Sequence, residues 1–217
     1  MNAVNPRVVR AKYDREFAQL AGDAERFRHK GIFLLEAELP AFLIGFAAPQ
    51  LKPAAMVMAV RFDYSDFDLK PPSVRFVDPF TGVPYAAGEM PTAMLRAVET
   101  PLPEGFPQLG LTPVPAPGGD GSTEPGGGEA SRPSIVSHQP LVQVHEGGVP
   151  FLCLAGVREF HEHPGHTGQP WELERTSGAG GLVRLVEVIH KYAIEPIGGW
   201  AVNLVPQVTL GVGDPPK

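Results

Sequence analysis

Several features are scarce or missing in this chain of 217 residues, and each excludes a class of protein. A single cysteine excludes a disulfide within the chain and therefore a disulfide-stapled secreted scaffold. No apolar run approaches the roughly 18 residues of a transmembrane helix, and the first residues lack the apolar core of a signal peptide. Basic residues form no run, so a nucleic-acid surface is not expected. These features predict a cytoplasmic protein that binds neither nucleic acid nor membrane.

Glycine and proline are abundant instead, with 25 of each, and many of them lie between residues 101 and 134. This segment contains the runs PAPGGDG and EPGGGEA. Such a composition offers too little apolar surface to offset the entropy lost on ordering. We therefore expect one domain over residues 1–217, interrupted by a flexible surface insertion at 101–134 that is dispensable for folding.

Apolar spacing outside the insertion predicts two helices and several strands. Residues 7–29 are expected to form one amphipathic helix that stops at Gly31, and residues 181–194 to form another. The apolar faces of the two helices comprise Tyr13, Phe17, Leu20, Ala24 and Phe27, and Leu182, Leu185, Ile189 and Tyr192, respectively. Strands are predicted on either side of Pro40 in 32–48, and at 55–63, 73–77 and 199–212. Residues 141–145 and 150–154 are expected to form a strand and a turn.

A Pro-Pro turn separates two of the predicted strands. In KPPSVRF, residues 70–76, two prolines fix φ and end one strand, and the alternation of apolar and polar residues begins the next. The passage resembles the ubiquitin-conjugating (UBC) fold, whose members carry a Pro-Pro turn between strands. An ordinary Pro-Pro turn between two strands is the simpler interpretation.

The surroundings of the single cysteine extend this resemblance to about residues 8–100 and 138–195. Cys153 lies in the context Phe-Leu-Cys-Leu, and His145 precedes it by eight positions with glycines between them. In the UBC fold a polar residue on the oxyanion side stands at this distance from the catalytic cysteine. The family's His-Pro-Asn tripeptide is absent, and His145 takes the place of its asparagine.

The resemblance implies an α+β fold, a UBC-like antiparallel meander flanked by helices. It also implies a bacterial ubiquitin-conjugating-enzyme-like protein, in which Cys153 is the nucleophile and carries a ubiquitin-like protein as a thioester. An adenylating, ubiquitin-activating-like enzyme would load it. His145 would stabilise the tetrahedral intermediate, and His161 or His163 would favour the thiolate.

A second pattern begins at the same cysteine. Cys153, Glu159, His161, His163 and His166 fall within fourteen residues. They resemble a bacterial metal-binding domain named for its Cys-Glu-His-His (CEHH) signature, which is encoded beside ubiquitin-activating-like and deubiquitinase-like genes. Thiolate, carboxylate and imidazole suit zinc.

This second resemblance implies a different function for the same residues. The protein would be a zinc-binding accessory protein of the same pathway, without conjugating activity. The two hypotheses compete for Cys153, because a thiolate saturated by zinc is a poor nucleophile. Blander interpretations also stay open: a lone cysteine is often an inert buried residue, and a histidine-rich turn is often a solvated loop.

Overall fold

The computed structural model describes residues 4–101, 134–144, 147–166, 168–199 and 201. The predicted insertion at 101–134 lies outside the described residues except at its two ends, so its mobility stays a prediction. His145 and the strands predicted at 199–212 also fall outside the described residues, apart from a few positions near residue 200.

The described chain is a mixed α+β fold, as the sequence predicts. The helices are α1 (Pro6–Gly22), α2 (Ala24–His29), α3 (Arg158–Glu162), α4 (Trp171–Glu174) and α5 (Leu182–Ile189), which continues as a π-helical turn over His190–Ile194. The strands are β1 (Ile32–Glu38), β2 (Ala41–Ala48), β3 (Ala55–Asp63), β4 (Ser73–Val77), β5 (Leu95–Pro101), β6 (Ser134–Pro140), β7 (Val142–Val144) and β8 (Pro150–Leu152). Short 3-10 turns occupy Ala87–Glu89, Pro164–His166 and Arg175–Ser177.

Strands β1 to β4 form a four-stranded antiparallel meander in sequential order. The predicted bounds of β3 and β4 are confirmed, and Pro40 separates β1 from β2 as expected. Phe42 pairs with Phe62, and Phe62 pairs with Val74, so the three side chains lie on the same face of the sheet. These three side chains are fully buried, and their face forms the centre of the core.

Helices α1 and α5 contribute the other half of this core. Tyr13 of α1 stacks on Phe42 with ring centroids 4.2 Å apart. Leu182, Leu185 and Ile189 of α5 are buried in the same cluster, which confirms the predicted apolar face of the second helix. Because α1 and α5 also contact each other, they cover the sheet as a pair.

The first helix differs from its prediction in two ways. It ends at Gly22, and Asp23, with φ −101° and ψ 8°, separates it from α2. Phe17 is 39% exposed and Ala24 is also exposed, whereas Glu16 lies in the buried stripe. Hydrophobicity alone could not predict this rotation of the buried face, because the residue that takes the place of Phe17 is a carboxylate with a specific partner.

Two of the observed strands were not predicted from the sequence. β5 and β6 form a two-stranded antiparallel ribbon with exposed apolar residues such as Leu95 and Ile135. The ribbon pairs Pro101 with Ser134, so the two ends of the predicted insertion are direct neighbours. Because neither face of this ribbon is sealed in the core, its sequence lacks the clear alternation of a half-buried strand.

The buried carboxylate of Glu16 provides a test of how α1 and α5 are joined. Glu16 is 2% exposed and accepts a hydrogen bond of 2.9 Å from the N–H of Leu182, at the start of α5. Glu16→Ala should lower the free energy of unfolding by about 2 kcal/mol, because that N–H loses its acceptor inside the protein. Urea unfolding measures the change, and Glu25→Ala on exposed α2 is the control. Equal effects of the two substitutions would contradict this assignment.

Candidate functional site

Cys153 is the residue at which the chain leaves β8. Strand β8 pairs with β7 and contacts β4, and its residues Phe151 and Leu152 are fully buried. The N–H of Cys153 donates to the carbonyl oxygen of Leu141 at 2.7 Å. The cysteine itself is half-buried. Its thiol is therefore held on a fixed backbone without being sealed in the core.

The turn after Cys153 is fastened to two other parts of the fold. A Cβ at Gly156 would stand 2.0 Å from the carbonyl oxygen of Ala179, so only glycine fits this close approach. Arg158 donates from its backbone N–H to Pro72 O at 2.9 Å and from Nε to Pro71 O at 3.2 Å. The structure thus places the segment after the cysteine against the Pro71–Pro72 turn.

His166 brings its imidazole to the thiol. The distance from Cys153 Sγ to His166 Nε2 is 3.3 Å, within hydrogen-bond range for sulfur. The same Nε2 lies 3.3 Å from Oε1 of Gln143, on β7. Phe160 of α3 stacks on the imidazole with ring centroids 4.2 Å apart and planes 16° apart. The ring is therefore held by packing on one side while its edge meets the thiol.

The surroundings keep both members of this pair uncharged. Burial raises the pKa of the Cys153 thiol, and the positive charge of Arg96 on β5 opposes that shift. Burial also lowers the pKa of the His166 imidazole, and the neighbouring His163 and His161 lower it further. Near pH 7 a neutral thiol thus faces a neutral imidazole.

Glu159 points to β4. It is 2% exposed and accepts hydrogen bonds from the hydroxyl of Ser73 and from the N–H of Val74, the latter at 3.2 Å. Arg75 Nη2 lies 3.5 Å from one of its oxygens. Since β4 is the last strand of the meander, Glu159 supplies an acceptor to a strand edge and joins α3 to the sheet.

The two remaining histidines also have partners of their own. His161 donates from Nε2 to the carbonyl oxygen of Ala155 at 2.6 Å. His163 accepts at Nδ1 from the N–H of Gly165 at 3.1 Å, and its ring centroid lies 5.1 Å from that of His166. Both rings therefore belong to the same turn as the pair, but their hydrogen bonds orient them individually.

These contacts bear on the predicted metal ligands. In the part of the chain that the structure describes, no group of three or more His, Cys, Asp and Glu side chains is placed to hold a metal ion. Zinc sites use three or four protein ligands, so a zinc site that includes Glu159 or His161 requires that residue to leave its present partner. Zinc binding stays a prediction, as does the role of His145, which lies outside the described residues.

A cavity of about 800 Å³ opens beside His166. Pro71 and Trp171 form an apolar part of its lining, and the basic residues Arg158 and Lys70 are balanced there by two glutamates, Glu162 and Glu172. Trp171 is 5% exposed and donates from Nε1 to Asp68 O at 2.8 Å, which keeps the indole in place.

Three residues of this site were not predicted from the sequence. Gln143 and Phe160 contact His166, and Arg96 acts on the thiol through its charge. Gln143 lies in a predicted strand, but no spacing rule relates a strand glutamine to a histidine 23 positions later. Arg96 lies in the ribbon that escaped prediction.

The comparisons with known proteins place the chain in a family. The family model for Y4jH-like proteins matches residues 4–113 and 135–197, which include every described residue of the site. The chain belongs to the Y4jH-like family. It is also 37% identical over 212 residues to the uncharacterized protein y4jH of Sinorhizobium fredii, across 97% of this chain and 93% of that protein. Neither description states an activity.

The family match contains a gap, between residues 113 and 135, and this gap falls inside the predicted Pro/Gly-rich insertion. The family match resumes near the start of β6, so the two strands of the ribbon lie on opposite sides of the gap. Within the described residues, no helix combines the length and apolar character needed to cross a membrane.

The charge of Arg96 provides a test of the thiol's environment. Arg96→Ala should raise the pKa of Cys153 further, because burial then acts without the opposing positive charge. Alkylation by iodoacetamide between pH 7 and 9 should slow by about two- to tenfold, since the thiolate is the reactive form. Arg28→Ala, on the exposed surface of α2, is the control. An unchanged pH profile in Arg96→Ala would refute the electrostatic contact.

The bonds of Glu159 provide a second test. Glu159→Ala should lower the free energy of unfolding by about 2 kcal/mol or more, because Val74 N–H and Ser73 lose a buried acceptor. Glu159→Gln should lose less, since its amide oxygen can still accept. Thermal or urea unfolding measures both changes. The control is Glu162→Ala, because Glu162 is an exposed glutamate at the end of the same helix. A Glu159→Ala protein as stable as the control would contradict this structural role.

Proposed function

We propose that this protein carries a ubiquitin-like protein as a thioester on Cys153, as a ubiquitin-conjugating enzyme does. The observation that carries the proposal is the 3.3 Å contact between Cys153 Sγ and His166 Nε2. A thiol beside an imidazole is an arrangement in which the thiol becomes a nucleophile when the base takes its proton. The half-buried position of the cysteine leaves one side open to an acyl donor.

The order of the elements supports the proposal. A first helix, an antiparallel meander that contains the Pro-Pro turn, a cysteine turn and a later helix follow one another as the resemblance to the UBC fold leads us to expect. The bonds from Arg158 to Pro71 and Pro72 join the cysteine turn to the Pro-Pro turn. Both motifs that carry the resemblance therefore meet at one end of the sheet.

The chemistry needs only groups that are present or supplied by the donor. The Cys153 proton moves to Nε2 of His166, and the thiolate attacks the thioester carbonyl carbon of the ubiquitin-like protein held on its activating enzyme. Collapse of the tetrahedral intermediate expels the activating enzyme's thiolate, which takes the proton held on Nε2 of His166. An amine later attacks the new thioester, forms an amide and releases the Cys153 thiol. The predicted role of His145 is to stabilise the intermediate.

A zinc-binding accessory function is the second candidate, because two of its predicted ligands already touch. Cys153 and His166 are 3.3 Å apart, and the ring of His163 lies beside that of His166. A zinc ion bound there would consume the thiolate and prevent thioester formation. The metal content of the purified protein therefore separates the two candidates.

Loading by partner proteins tests the proposed function. The purified chain, an adenylating enzyme, its ubiquitin-like protein and ATP should give an adduct that a thiol reagent reverses. Cys153→Ser should abolish the reducible adduct. His166→Ala should slow loading by about 10²- to 10⁴-fold, because a general base is lost. His29→Ala, an exposed histidine on α2, is the control for replacing an imidazole.

Other outcomes of the loading assay and of metal analysis would contradict the proposal. Metal analysis accompanies the assay, and about one zinc per chain that is lost in Cys153→Ser would favour the accessory function. A metal-free protein that forms no reducible adduct with any activating system of this type would refute the thioester. Equal loading by His166→Ala and His29→Ala would remove His166 from the mechanism.

A further inference from the structure

We propose that Gln143 is a positioning residue that sets the tautomer of His166 and so keeps the Cys153 thiol unreactive at rest. The inference rests on the proposed role of Cys153 as a nucleophile. Cys153 and Gln143 compete for a hydrogen bond with the same nitrogen of the His166 imidazole.

The geometry places both neighbours at one atom. His166 Nε2 is 3.3 Å from Cys153 Sγ and 3.3 Å from Gln143 Oε1. A neutral imidazole carries its hydrogen on one of its two nitrogens. Since the carbonyl oxygen of Gln143 can only accept, the contact with Oε1 requires the hydrogen to be on Nε2. In that tautomer Nε2 has no lone pair to take the thiol proton.

Both residues are held in place, so the competition is built into the fold. Gln143 occupies the middle of β7 and pairs with Phe151 of β8. Phe160 stacks on the imidazole of His166 at 4.2 Å. The ring therefore cannot turn away from Gln143 without losing that packing, whereas the amide of Gln143 can reverse about its terminal bond.

Reversal of the amide changes the role of the imidazole. With the amide NH2 group of Gln143 towards the ring, Nε2 accepts, the hydrogen moves to Nδ1, and the thiol of Cys153 then faces a lone pair. The Cys153 thiol is therefore activated when the amide is reversed and held unreactive when Oε1 faces the ring.

The test removes the carbonyl and keeps the shape. Gln143→Met has nearly the same length without an acceptor amide, and Gln143→Leu is a second variant. In the full-length protein at pH 7, both should react with iodoacetamide about three- to tenfold faster than the wild type, because Nε2 is free to accept the thiol proton. Gln169→Leu is the control, because Gln169 lines the cavity beside the same imidazole.

Histidine ¹⁵N spectra provide a readout that a merely structural role would not change. The His166 signals, assigned by their loss in His166→Ala, should report hydrogen on Nε2 in the wild type and on Nδ1 in Gln143→Met. An unchanged tautomer would overturn the inference, even with faster alkylation, because the gain would then be steric. Unchanged alkylation in both Gln143 variants would overturn it as well.

These measurements need no partner protein, so they fail independently of the proposed function. If Gln143→Met shows the expected tautomer and rate but no activating system loads Cys153, the positioning role stands and the thioester does not. If Cys153 is loaded and Gln143→Met resembles the wild type in both measurements, the proposed function stands and the positioning role does not.

Discussion

The site depends on the hydrogen bonds that fasten α3 to the beginning of β4. Arg158 binds the carbonyl oxygens of the Pro71–Pro72 turn, and the buried carboxylate of Glu159 binds Ser73 and Val74 immediately afterwards. Two consecutive residues of one short helix thus hold the Pro-Pro turn and the first two residues of the strand that follows it. Helix α3 has only five residues, too few to be stable alone, so these tertiary bonds decide where it lies. The ring of Phe160 follows directly and supports the imidazole of His166.

The sheet could be predicted from the sequence because one of its faces is sealed. Where Phe42, Phe62 and Val74 must face the core, alternation is forced, and the predicted bounds of β3 and β4 match the structure. Alternation of apolar and polar residues does not reveal a strand when neither of its faces is buried. The β5–β6 ribbon exposes Leu95 and Ile135. Its two strands are joined by backbone hydrogen bonds, which cannot be predicted from the spacing of apolar residues.

The membership of the site was predictable in part, but the direction of each side chain was not. Glu159 and His161 are two residues apart, and in an α-helix such positions point to nearly opposite sides. Because α3 makes Glu159 face β4 while His161 bonds to Ala155, the polar groups of residues 153–166 do not all converge on one point. His166 reaches the thiol because it lies beyond the helix, in the turn that brings the chain back.

The electrostatics of the pair follow from its half-buried position. A neutral thiol beside a neutral imidazole avoids the desolvation that two charges would suffer there. Arg96 favours the thiolate, whereas His163 and His161 disfavour a positive charge on His166, so the neighbours act in opposite directions on the two members of an ion pair. Proton transfer is therefore unfavourable at rest. In the proposed function, proton transfer would become productive when an acyl donor converts the thiolate directly into a thioester, because the negative charge would then leave with the departing sulfur.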